Sequence, residues 1–174
     1  MITSESILNE LRTVMDPEMP INIVDLGLVE GVRIDATDNS AAVSIDILPT
    51  FVGCPALAMI EDDIRDTVSR QDGVGAVDVQ FLYDPPWSVD RISDAGRASL
   101  REHGVTVPER GSLCGASSDE DDSLKLVQLQ TSAVPCPFCG SRQTRMDSPF
   151  GPTRCRMIYY CDGCRNSFEH MKRI

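Results

Sequence analysis

Two Cys-x-x-Cys pairs, Cys136-Pro-Phe-Cys139 and Cys161-Asp-Gly-Cys164, stand in one sequence with 21 residues between them. Each tight turn presents two sulfurs to one ion, and Gly140 and Gly163 are expected to permit the turns. Four thiolates satisfy tetrahedral Zn²⁺ and leave no open position for water or substrate, so the expected site is structural. Rubredoxin-like iron, a cluster or a redox dithiol pair are the alternatives. A closed zinc site also explains how so short a segment with little apolar content folds, because metal binding supplies folding free energy. Cys155 is a fifth thiol in the same segment. If residues 155 to 161 form a strand, six steps of about 3.3 Å place Cys155 roughly 20 Å from the metal. It is then no ligand of that site, and reads either as a half-buried filler or as an exposed thiol near the far tip that contacts a metal or cluster.

Cys54 stands apart, in Thr50-Phe-Val-Gly-Cys-Pro55. Proline favours the first helical position, which puts Cys54 at or beside a helix N-cap. Free amides and the positive end of the helix dipole would lower its pKa and favour thiolate. Gly53 would leave room for a partner atom. Such a thiolate could act as a nucleophile or bind iron or another soft metal; a small buried hydrophobe at a strand–helix corner is the plainer reading. The two histidines, His103 and His170, offer no nearby base for a Cys/His catalytic pair. Asp16, Glu18 and Asp25 lie in a proline-rich approach to a strand. They read either as parts of a structured turn or as acids lining a cleft with Thr50 and Gly53. Cys114 reads as incidental.

The elements that must position these groups form an α-β-β-α-β-α series. Ile7, Leu8, Leu11, Val14 and Met15 recur at helical spacing after Thr3 and Ser4. Asp16-Pro17 ends that helix. Leu26 to Ile34 and Ala42 to Leu48 read as a hairpin around Asp38-Asn39-Ser40. Pro55 opens a helix with Leu57, Ile60, Ile64 and Val68 buried and Gly73 as its stop. Val77, Val79, Phe81 and Tyr83 alternate as a strand, and a short helix covers 93–102 with Gly104 as its C-terminal stop. The expected class is α+β: a small mixed sheet with helices on one side, followed by a zinc ribbon.

Composition fits one ordinary domain plus something small. Hydrophobic residues make up 41% of the 174, enough for a core. Residues 1–129 carry nine basic and 24 acidic side chains, a balance of −15; residues 130–174 carry seven and three, a balance of +4. An acidic body argues against non-specific nucleic-acid binding. Gly111 to Ser123, rich in Gly and Ser with four consecutive acids, reads as a mobile linker. The expected divisions are a body at 1–108, a linker at 109–125 and a ribbon at 126–174. No apolar run approaches a bilayer span, and residues 1–12 lack a secretory pattern. A cytoplasmic location follows, where seven cysteines point to metal or thiol chemistry rather than disulfides.

Residues 16–29, with Asp16-Pro-Glu and Asp25-Leu-Gly, and residues 49–65, with Thr50-Phe-Val-Gly-Cys-Pro, resemble the metal–sulfur cluster assembly domain family. The tail runs from Cys136-Pro-Phe-Cys-Gly through Phe150-Gly-Pro-Thr-Arg-Cys155 to Cys161-Asp-Gly-Cys164 and Phe168-Glu-His-Met-Lys172. It resembles the ribbon appended to one branch of that family, the PaaD (or PaaJ) subunits of bacterial phenylacetyl-CoA epoxidase systems. The resemblance implies an accessory protein of aerobic phenylacetate degradation that assists iron–sulfur or iron cofactor assembly in a reductase or oxygenase client. It makes Cys54 the candidate thiol for transient iron or cluster handling. The alternative is a structural subunit of the oxygenase complex without cofactor handling. The expected partners are that client and a second copy of the chain, with neither membrane nor nucleic acid. An enzyme is not expected, because no nucleophile–base–orienter set is visible.

Overall fold

The computed structural model describes residues 2–36, 40–111 and 134–173. Most of the expected linker, Cys114 and most of the hairpin turn lie outside these residues.

Helix α1 (Ser4–Leu11) starts in a capping box: the Thr3 hydroxyl accepts from the Ser6 amide, and the Ser6 hydroxyl accepts from the Thr3 amide. Ile7 and Leu11, four apart, are its buried residues. The helix stops one turn short of expectation. Thr13 donates its hydroxyl to the Glu10 carbonyl, and Val14 accepts from the Ile23 amide. Met15 therefore pairs with Asn22 in an isolated bridge and is exposed.

Strands β1 (Val29–Ala36) and β2 (Ala41–Ile47) pair antiparallel, and β2 pairs parallel with β3 (Val74–Phe81). The sheet order is β1-β2-β3. Parallel pairing requires a crossover, supplied by α2 (Leu57–Ser69). Its Ile60, Ile64 and Val68 stripe meets Val43, Ile45 and Ile47 of the central strand in one core. β1 begins later than the apolar pattern suggests, because Leu26-Gly27-Leu28 are used in a turn. β3 ends at Phe81, leaving Tyr83 exposed. A 3-10 turn (Val89–Arg91) leads into α3 (Asp94–Glu102), capped by Ser93, whose hydroxyl accepts from the Gly96 amide at 2.9 Å.

The C-terminal part is a three-stranded meander, β5 (Thr144–Ser148), β6 (Arg156–Cys161) and β7 (Ser167–Met171). Among the described residues its own buried cluster is Cys136, Tyr159, Cys161 and Phe168. The body reaches into this sheet. β4 (Val105–Thr106) follows Gly104 and pairs parallel with β7, giving the order β4-β7-β6-β5. Cys155 and Met171 in turn belong to the body's core. The two parts, expected to be joined by a linker alone, thus share a sheet and a core.

Candidate metal and thiol sites

The four paired cysteines converge. Their sulfurs all lie within 4.8 Å of one another, with Cys136 Sγ 3.7 Å from Cys164 Sγ and Cys139 Sγ 3.6 Å from Cys161 Sγ. A tetrahedron with metal–sulfur bonds of about 2.3 Å has edges of about 3.8 Å, so the donor set fits a tetrahedral thiophilic ion. In the first knuckle the Gly140 amide returns to the Cys136 carbonyl at 2.9 Å, with Gly140 at φ 72°. The second knuckle repeats the turn, with the Arg165 amide on the Cys161 carbonyl at 2.8 Å. Here the left-handed residue is Arg165 (φ 61°), not Gly163. At Gly163 a Cβ would lie 3.1 Å from the Ser141 side chain, tighter than ordinary contact. Backbone amides of Cys164 and Gly163 favour the Cys161 thiolate and bring it down to about 7. At Cys139 the Ser141 amide lowers the pKa, but burial and sharing of protons with the other three sulfurs push it up to about 12. The Cys161 thiolate thus forms readily while Cys139 resists further charge, which is the electrostatic situation a cation relieves.

The second site is a cleft of about 210 Å³ where the ribbon meets the body. Its body wall is Glu18, Thr50, Phe51, Cys54 and Pro55; its ribbon wall is Pro152 to Cys155. The loop after β2 turns at Gly53, whose φ of +77° suits glycine and whose Cβ direction is open space. The Cys54 amide then bonds the Phe51 carbonyl at 3.3 Å. Helix α2 begins at Leu57 with Ala56 as its cap residue, so Cys54 precedes the N-cap by two positions. The Ala56 amide does point at the sulfur and lowers its pKa, as the helix-start argument expects. Burial outweighs it, and the Glu18 and Asp16 carboxylates add to the rise. The expected low-pKa thiolate is therefore corrected: Cys54 is a half-buried thiol held above its ordinary range.

On the ribbon wall, Cys155 is 6% exposed. It sits at the end of β6 remote from the four-cysteine cluster, as the strand arithmetic requires, but the expected free tip is packed against the body. Its sulfur lies 3.1 Å from the Thr153 hydroxyl. Burial pushes its thiol up, Asp16 adds to this, and Arg156 opposes it. Three contacts hold this wall in place. The Lys172 amide donates to the Cys155 carbonyl at 2.8 Å, buried Arg156 donates to the Glu18 carbonyl at 3.1 Å, and Arg156 also pairs with Glu169. The Arg154 guanidinium lies 5.5 Å from the centre of the Phe51 ring.

Of the acids proposed for a cleft, Glu18 lines it. Asp16 is half-buried and not part of the lining; desolvation raises its carboxyl, and it accepts the amides of Glu18 and Met19. Asp25 does not join them. It accepts from Arg12 at 3.0 Å, Asn22 at 2.7 Å and Ser93 at 2.7 Å, tying α1 to the start of α3. Burial would raise its carboxyl, but these donors hold it below the usual range. The neighbouring residues are equally architectural: Leu26 accepts from the Trp87 indole at 3.1 Å, and Gly27 accepts from Arg91 at 2.8 Å. A larger groove between the end of α1 and α2 holds Asp63, Asp66 and Arg70 but no thiol.

Residues 4–79 match the family model of an iron-sulfur cluster assembly protein, and residues 120–172 match the PaaD zinc beta ribbon domain. An Escherichia coli protein provisionally named as one of the subunits of 1,2-phenylacetyl-CoA epoxidase is 34% identical over 94% of this chain and 89% of its own. The chain belongs to the PaaD family. An Fe-S protein maturation auxiliary factor of Porphyromonas gingivalis is 36% identical over 56% of this chain and 90% of its own. The crystal structure of a domain of unknown function, DUF59, from Bacillus anthracis matches with a TM-score of 0.50 and 32% identity, over 56% of this chain and 90% of that one. In this PaaD-family chain the two family models divide the cleft between them: Glu18 and Cys54 fall in the first, Pro152 to Cys155 in the second. Relatives that match only 56% of the chain have room for one of the two parts.

No helix among the described residues is long and apolar enough to cross a membrane.

Proposed function

We propose that this protein assists assembly of iron–sulfur or iron cofactors in a partner protein, the reductase or oxygenase of a phenylacetyl-CoA epoxidase system, with Cys54 as the thiol that receives the iron or cluster. The observation that carries this reading is the setting of Cys54: a half-buried thiol in a cleft whose lining holds no histidine, with the Glu18 and Asp16 carboxylates close enough to raise its pKa. Carboxylates disfavour a free thiolate and so disfavour nucleophilic catalysis, but they favour a cation arriving at the sulfur. The iron is cargo on this reading. The similarity to a named maturation factor and to a named epoxidase component supports both halves of the proposal.

Zinc is the proposed resident ion of Cys136, Cys139, Cys161 and Cys164, where it would fold the ribbon without offering an open coordination position. Cytoplasmic operation, with thiols kept reduced, is part of the same proposal.

The test is anaerobic reconstitution with iron and sulfide, followed by metal analysis. The expected result is one zinc in both the parent and Cys54→Ser, with labile extra iron and a chromophore only in the parent. A Cys54→Ser protein that still matures its client overturns the role. Client maturation that survives this change, with stoichiometric copurification, would mark a purely structural component of the complex.

A further inference from the structure

We propose that Cys155 is a second thiol of the Cys54 site, so that the body and the ribbon together hold one soft metal ion across the cleft. This rests on the reading of Cys54 given above and deepens it. The two cysteines are 101 positions apart in sequence and come from parts matched by two different family models, yet they line one cleft.

Cys155 is not placed there by the strand alone. Its carbonyl accepts from Lys172, its sulfur meets the Thr153 hydroxyl, and the next residue, Arg156, is anchored on the body's Glu18 carbonyl. The four-cysteine cluster cannot use it, being at the other end of β6.

The charges about the pair are Asp16 and Glu18 from the body and Arg154 and Arg156 from the ribbon. Arg156 is engaged by Glu169, and Arg154 lies over Phe51. With Glu169 counted, three carboxylates face two guanidiniums, and the balance of −1 helps to offset an added cation. Both thiols are protonated at rest, held so by burial. Binding of a divalent ion breaks two S–H bonds, forms two metal–sulfur bonds and releases two protons, with no change of oxidation state. Thiolate donors select Fe²⁺ and other soft or borderline ions over Mg²⁺ or Ca²⁺.

Co²⁺ is the probe, added anaerobically to the full-length, zinc-loaded protein, with zinc retention measured in each sample. The sulfur-to-cobalt charge-transfer absorption scales with the number of Co–S bonds. Cys54→Ser and Cys155→Ser should each halve it and weaken binding at least ten-fold; the double variant should abolish it. Because Cys155 is buried, Cys155→Ala is made alongside, and the parent is examined without any substitution. There, bound Co²⁺ should protect both Cys54 and Cys155 from alkylation, mapped by peptide mass. Protection of Cys54 alone, with full absorption in the Cys155 variants, overturns the second thiol and leaves the Cys54 reading standing. Absence of cobalt binding by the zinc-loaded parent overturns both.

Discussion

Arg156 is the residue whose loss should separate the ribbon from the body. Its side chain is 8% exposed and bonds Thr153 Oγ1 at 2.8 Å, the Glu18 carbonyl at 3.1 Å and the Glu169 carboxylate. Arg156→Met keeps most of the volume and removes every one of these bonds. A hydrogen bond to a charged group is worth about 1.5–3 kcal/mol, and breaking a buried pair costs about 3–5 kcal/mol. Glu169 is 26% exposed and recovers water, so the lower end, about 3 kcal/mol, applies. Only the Glu18 bond crosses to the body directly, but the others hold Thr153 and β7 in the shape that presents Cys155. Of that loss the crossing bond alone, about 1.5 kcal/mol or more, falls on docking, roughly ten-fold in that equilibrium. With rapid opening and closing, alkylation of a buried thiol follows the open population. The measurement is the alkylation rate of Cys155, read by peptide mass in zinc-loaded protein carrying Cys114→Ser. Arg156→Met should raise it about ten-fold or more, and Arg156→Lys by less but clearly, since lysine cannot reproduce the fork. An unchanged rate at Cys155, with the protein still folded, would refute the docking argument.

Three further outcomes follow from the same structure. Gly27→Ala would force φ of +76° on alanine and place its Cβ 2.6 Å from Arg91 Cβ. Left-handed strain and overpacking together predict a loss of about 3 kcal/mol, whereas Gly53→Ala, with open space at its Cβ, should lose only about 1 kcal/mol; urea midpoints compare them. His170, buried between Thr106 and the Tyr159 ring, has its pKa lowered to about 4 by burial. The unfolded chain, titrating near 6.5, then binds the extra proton between those values, so stability falls as pH drops through this window. Between pH 7 and pH 5 the parent should lose about 2 kcal/mol more than His170→Asn, and equal slopes in paired urea titrations would count against the burial argument. Removal of the metal from the four-cysteine cluster should unfold β5 to β7, since among the described residues just Tyr159 and Phe168 are buried with the sulfurs, with Val134 and Met157 partly buried against them. Near-ultraviolet dichroism of a chelated sample that keeps its tyrosine signal would contradict this.

What the sequence disclosed was local. Ile60, Ile64 and Val68 fall on one face by spacing alone, the alternation of Val43, Ile45 and Ile47 declares a strand, and the two Cys-x-x-Cys turns fix their own sulfurs. Asp25 misled because an acid in a proline-rich approach looks like a cleft residue, while its true partners, Arg12 and Ser93, come from two different helices' ends. The same is true of Cys54. Its local signal, an amide of the coming helix aimed at the sulfur, is present, yet the sign of its shift is set by burial and by Asp16 and Glu18, some 36 to 38 positions earlier. The docking of the ribbon had no periodic signal at all. β4 is two residues long, too short for alternation to register, and the Arg156 to Glu18 bond spans 138 positions.

That interface changes what a zinc ion at the four-cysteine cluster would do. A metal held at one end of β6 stabilises the meander, and through β7 it stabilises the pairing with β4. Cys155 leads directly into the other end of β6, about 20 Å away at ~3.3 Å per residue. The order of that strand is therefore transmitted along its length to the cleft, where the ribbon wall covers Cys54. The body alone would offer Cys54 at an open strand–helix corner, with Glu18 beside it and no second wall. On the proposed assignment, the zinc never meets the iron, yet it governs whether the iron-handling thiol stands in a closed cleft or at an open corner. A zinc-depleted protein should therefore alkylate faster at Cys54 as well as at Cys155, although Cys54 lies in the other half of the chain and touches none of the metal's ligands.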